Sequence, residues 1–148
     1  MRGSLFFGAT SCSSDQGGIM ADTTVFVVSD HSAVRDSLSE LIASAGLCVE
    51  TFPSLEMWLK AVPSKPRGCL VLDTRARDFA VPERLARLSV ACRKLPVLML
   101  VDRGEVPIAV RGIKEGVADV LEKPLRDEKL LERIKMAAVA GQDAEANG

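Results

Sequence analysis

Metal-binding side chains are scarce in this sequence. Its 148 residues include a single histidine, His31, and four cysteines, Cys12, Cys48, Cys69 and Cys92, none in a Cys-x-x-Cys pair. A zinc site has too few well-spaced ligands here. Charge of one sign is also missing. Nineteen Lys and Arg against twenty Asp and Glu give a formal net charge of −1, so nothing general draws the chain to nucleic acid or an anionic membrane. No apolar run approaches a membrane span, and Leu5-Phe6-Phe7 is too short for the core of a secretory signal. A glycine-rich phosphate loop is absent after the first strand-like run, where Ser29-Asp30-His31-Ser32 stands instead. That argues against a nucleotide or flavin site. There is no internal repeat.

What remains is 47% apolar and 26% charged, an ordinary globular composition. The length suits one domain with a sizeable core and is tight for two. Cys48 and Cys69 lie in apolar segments, where free thiols act as small hydrophobes. The chain reads as a reduced cytoplasmic protein.

Five apolar, strand-like runs alternate with amphipathic stretches. Thr24–Val28, Leu47–Phe52, Cys69–Asp73, Pro96–Val101 and Val117–Glu122 are the strands. Helices are expected from Val34 to Ala45, from Ser54 to Val62, from Pro82 to Cys92, from Ile108 to Glu115 and from Arg126 to Ala140. Nearly all-apolar strands separated by helices call for an α/β fold, a parallel sheet covered on both faces. Right-handed crossovers make the flavodoxin-like (βα)5 three-layer sandwich, strand order 2-1-3-4-5, the leading topology. Residues 1–22 are expected to form a disordered extension, with Met20 a candidate start. Residues 23–140 form the domain, and 141–148 a disordered, frayed tail.

Sites in such sheets form beyond the carboxyl ends of the strands. Those ends carry Ser29 and Asp30, Asp73, Val101 and Asp102, and Glu122 and Lys123. In the expected order Asp30 and Asp73 converge, and Lys123 reaches the same crevice from the far side. Two carboxylates and a lysine suit phosphoryl transfer, because a hard divalent cation takes carboxylate oxygens while a carboxylate acts as nucleophile. The bland readings are a helix-capping Asp30, a loop-solvating Asp73 and a surface Lys123.

The chain resembles the receiver domains of two-component response regulators, nearest the subtype of nitrogen-fixation and nitrate regulators. The likeness rests on Val25-Phe26-Val27-Val28-Ser29-Asp30 leading into Ala33-Val34-Arg35-Asp36-Ser37-Leu38, and on Gly68-Cys69-Leu70-Val71-Leu72-Asp73. It continues in Gly104-Glu105-Val106-Pro107-Ile108-Ala109-Val110-Arg111 and Ala118-Asp119-Val120-Leu121-Glu122-Lys123-Pro124-Leu125. The resemblance implies that Asp73 accepts a phosphoryl group from a histidine kinase or phosphotransfer protein. It implies magnesium on Asp30, Asp73 and the Arg75 carbonyl, and Lys123 on the phosphoryl oxygens.

Departures from the pattern are equally specific. Ser29 stands where the family has a first acid, which weakens the expected magnesium site. Val101 replaces a Ser or Thr, and Asp102 replaces a very small residue, adding bulk and negative charge. Val120 replaces the switch aromatic. Without the hydroxyl and the aromatic, phosphorylation has little differential free energy with which to move a distant face. Asp102 is also a candidate partner for Lys123, closing the crevice in place of phosphate.

The resulting expectation is a stand-alone, atypical receiver in a phosphorelay, with no catalysis beyond phosphorylation and dephosphorylation of itself. It acts through a downstream protein partner, without nucleic acid or membrane, and as a candidate homodimer. The alternative is a pseudo-receiver that binds through the fourth helix, fifth strand and fifth helix without phosphate. An aspartate-nucleophile phosphatase needs a second acid two residues after Asp73, and Arg75 is there.

Overall fold

The computed structural model describes residues 23–63, 66–74 and 82–147, with side chains as far as residue 140. The expected N-terminal extension and Arg75 lie outside these residues.

Five strands form one sheet: β1 (Thr24–Val28), β2 (Cys48–Phe52), β3 (Gly68–Asp73), β4 (Val97–Val101) and β5 (Asp119–Glu122). Every pairing is parallel and the order is β2-β1-β3-β4-β5, as the pattern requires. Among the described residues, five helices cross between and after them: α1 (Ser32–Ser44), α2 (Leu55–Ala61), α3 (Pro82–Lys94), α4 (Val106–Glu115) and α5 (Asp127–Asn147). All six residues of β3 are buried, which is the burial expected of a central strand covered on both faces.

Alternation along the strands separates two cores. On one face Val25, Val27, Val49, Val71 and Leu98 meet Leu38 and Ile42 of α1 and Leu130 and Ile134 of α5. On the other, Phe26, Phe52, Leu70 and Met99 meet Trp58 of α2, Leu88 of α3 and Ile108 of α4. Trp58 is fully buried and packs edge-on against Phe26, their ring centroids 5.6 Å apart, an arrangement favoured by the ring quadrupoles.

Two glycines permit close approaches. Gly68 has φ +128°, and a Cβ there would stand 1.9 Å from the Thr24 carbonyl oxygen of the neighbouring strand. At Gly112 a Cβ would meet the Met99 sulfur at 2.3 Å, so glycine lets α4 lie directly on β4.

The turn after β1 leads directly into α1. His31 is the N-cap residue and makes no side-chain cap bond, while its N–H donates to Ser29 Oγ at 3.2 Å. The last helix does not stop at Ala140 before a frayed tail but runs on to Asn147. No proline interrupts residues 141–147, and Gln142, Ala144, Glu145 and Ala146 favour a helix against the weaker Gly141 and Asp143. Cys69 and Cys92 are free thiols. No helix among the described residues is long and apolar enough to cross a membrane.

Candidate functional site

The parallel register sets the site at one rim of the sheet. β1 and β3 are paired as far as Val28 and Leu72, so the next residues of each strand, Ser29 and Asp73, leave the ladder side by side. Asp73 is buried, with 3% of its side chain exposed. Its Oδ2 accepts a hydrogen bond from the buried Ser29 hydroxyl at 2.9 Å. Its Oδ1 is in direct contact with Nζ of Lys123, which follows β5. The carboxylate thus has a protein donor on each oxygen, as a buried charge requires.

Lys123 is placed by its own backbone, whose N–H donates to the Val101 carbonyl at 2.9 Å. That bond joins the ends of β4 and β5. Asp102 emerges beside it, with Oδ1 3.7 Å from Lys123 Nζ. One ammonium therefore faces two carboxylates.

Asp30 lines a cavity of about 170 Å3 together with Ser29, Asp73 and Thr74. Its Oδ1 lies 3.8 Å from His31 Nε2. Leu55, Leu72 and Leu88 form apolar wall, and Glu56, Arg84 and Arg87 bring charge to the lining. Arg87 approaches Glu56 at 3.7 Å, linking α3 to α2 beside the cavity. Arg35 donates to the Ser29 carbonyl at 2.7 Å and fixes the turn after β1.

Val101 is buried and shares an apolar cluster with Val120 and Ile108. Neither valine carries a group that can hydrogen-bond an anion. The hydroxyl nearest in sequence to Asp73 is that of Thr74, which is buried and donates to the Leu100 carbonyl at 2.9 Å.

The donor set can be tested against magnesium. Asp30 and Asp73 open on one cavity, and a cation of this kind commonly takes one or two carboxylates, several waters and substrate phosphate oxygens. The set fits that loose mode. It lacks a third acid: no group of three or more His, Cys, Asp or Glu able to hold a metal occurs among the described residues. Ser29 accounts for the shortfall, since its hydroxyl occupies Asp73 Oδ2 without adding charge.

Thr74, Arg84 and Arg87 also line this cavity, beyond the residues that the strand-end pattern singles out. The two arginines stand three apart at the start of the helix after Asp73, spacing that puts them on one helical face. The free thiols play no part. Burial pushes the Cys69 thiol up to about 12, and burial together with Glu115 raises Cys92 to about 11, so neither is a ready thiolate.

Comparison with known proteins agrees with the geometry. The family model for the response regulator receiver domain matches residues 25–135. The chain is 34% identical over 139 residues to response regulator protein TodT of Pseudomonas putida, covering 91% of this chain and 60% of that protein. It is 37% identical over 113 residues to transcriptional regulatory protein FixJ of Bradyrhizobium diazoefficiens, covering 76% of this chain and 55% of that one. The chain thus spans little more than half the length of these relatives. Among solved structures, response regulator StyR aligns with a TM-score of 0.73 at 32% identity, over 86% of this chain and 64% of that one. FixJ-N aligns with a TM-score of 0.69 at 34% identity, over 79% of this chain and 94% of that one. The chain belongs to the receiver domains of two-component response regulators.

Proposed function

We propose that Asp73 is the phosphoacceptor of this receiver and takes its phosphoryl group from a phosphohistidine on a histidine kinase or phosphotransfer protein. The observation that carries this reading is the buried Asp73 carboxylate, held by Ser29 and Lys123 at the rim it shares with Asp30. A carboxylate oxygen of Asp73 bonds to phosphorus as the donor's P–N bond breaks. The electron pair returns to the imidazole nitrogen, which takes a proton from solvent. The Lys123 ammonium, already against Oδ1, opposes the charge on the transferring oxygens. Asp30 and Asp73 would hold magnesium, which when bound would further neutralise that charge. Receivers are in general signalling modules, and the output here is a change in protein contacts.

The test is intact-protein mass after incubation with magnesium and a small phosphodonor such as acetyl phosphate. One phosphoryl group is expected on the wild-type chain and none on Asp73→Asn. No gain across a range of donors and pH values would overturn the reading.

A second reading, a binding module that works without phosphate, is favoured by one observation. Val101 and Val120 fill the switch region with hydrocarbon, so a phosphoryl group has no hydroxyl there to pull. On that reading the contact surface includes α4, where Val106 and Ile113 are 64% and 62% exposed and stand two turns apart on one side of the helix.

A further inference from the structure

We propose that Asp102 is a built-in competitor for Lys123, a carboxylate that engages the ammonium until phosphoryl oxygens displace it and so limits occupancy of the phosphorylated site. The inference rests on the reading of Asp73 as acceptor and adds a regulator to that site.

The geometry leaves Asp102 little choice of position. It follows β4 directly, and the bond from the Lys123 N–H to the Val101 carbonyl ties its strand end to that of β5. The turn beyond it is closed by Glu105 N–H donating to the Asp102 carbonyl at 3.1 Å. That turn is pinned to β5 as well, because Gly104 N–H donates to Glu122 Oε2 at 2.7 Å. These bonds set the backbone at Asp102, whose carboxylate lies 3.7 Å from Lys123 Nζ while the same nitrogen touches Asp73.

A phosphoryl group on Asp73 brings close to two negative charges to this rim. It must share Lys123 with Asp102, and the buried Val101 beside it offers no compensating donor. Asp102 has 56% of its side chain exposed and Lys123 34%. Solvent therefore screens the competition to a few-fold effect rather than a block.

The test is binding of beryllofluoride, a phosphoryl mimic that bonds to a carboxylate, followed in magnesium buffer by 19F NMR. Asp102→Asn keeps the shape and removes the charge, and Asp102→Ala removes both. Each is expected to bind about threefold to tenfold more tightly than wild type at low salt. The gap should narrow at high salt, where screening already weakens the competing charge. Glu128→Gln, an exposed acid on α5, should match wild type. A purely structural role for Asp102 would not produce the salt dependence. If Asp102→Asn and wild type bind within twofold, both through Asp73, the competitor idea is overturned and the acceptor reading stands. If neither shows binding that Asp73→Asn abolishes, both fall.

Discussion

Replacing Lys123 by methionine removes the only side-chain cation within ion-pair range of Asp73 among the described residues, and keeps most of the hydrocarbon stem. The carboxylate left behind has 3% of its side chain exposed and retains the Ser29 hydroxyl. Breaking a fully buried pair from one side costs about 3–5 kcal/mol. Lys123 is a third exposed and Ser29 keeps its bond, so about 2 kcal/mol is the expected loss here. For a domain of this size that corresponds to a fall in Tm of roughly 4–8 °C. Urea and thermal unfolding followed by circular dichroism measure it directly. The double-mutant cycle sharpens the test, because Lys123→Met made in an Asp73→Asn background has no charge to strand. The coupling between the two sites should be about 1–2 kcal/mol. A Lys123→Met protein as stable as wild type, or an equal loss in the Asp73→Asn background, would refute the claim that the amine compensates this buried acid.

Further outcomes follow from other residues. Ser29→Asp adds a carboxylate beside Asp30 and Asp73 and should tighten magnesium binding about tenfold or more, as measured by calorimetry; unchanged affinity would show that residue 29 does not face the cation. Gly68→Ala should cost about 3 kcal/mol or more in urea unfolding, because the added methyl meets the Thr24 backbone and the φ is wrong for alanine. Glu50 on the edge strand has its pKa raised above 4.5 by desolvation. Ionised Glu50 therefore disfavours the folded state above its folded pKa, and the penalty fades as pH falls to the unfolded value of 4.5 and below. Glu50→Gln should accordingly be stabilising at neutral pH, with an advantage that disappears in acid; a stability difference independent of pH would contradict that cause.

Much of the fold was legible because burial leaves a direct imprint on the chain. Runs such as Val25–Val28 and Cys69–Leu72 are apolar at every position, which only a strand covered on both faces requires. Once the strand order is set, the rim residues follow from register alone, which is why Ser29, Asp73, Asp102 and Lys123 could be grouped before any coordinates. What the sequence concealed depends on orientation rather than order. Thr74 shares its strand end with Asp73, yet its hydroxyl turns to the Leu100 carbonyl. Arg84 and Arg87 reach the cavity only because α3 lies where it does, across a connection whose length says little about helix direction. The extra turns of α5 were hidden for another reason: hydrophobic periodicity ends before Gly141, and the mixed propensities of residues 141–147 give no clear signal for continuing to Asn147.

The most direct measurement is chemical trapping of the acceptor. Incubation with magnesium and a phosphodonor, then borohydride reduction, converts an acyl phosphate on aspartate to homoserine, which peptide mass mapping locates. The account predicts homoserine at position 73 and nowhere else. Homoserine at another aspartate, or an unmodified chain under conditions that label a control receiver, would contradict it.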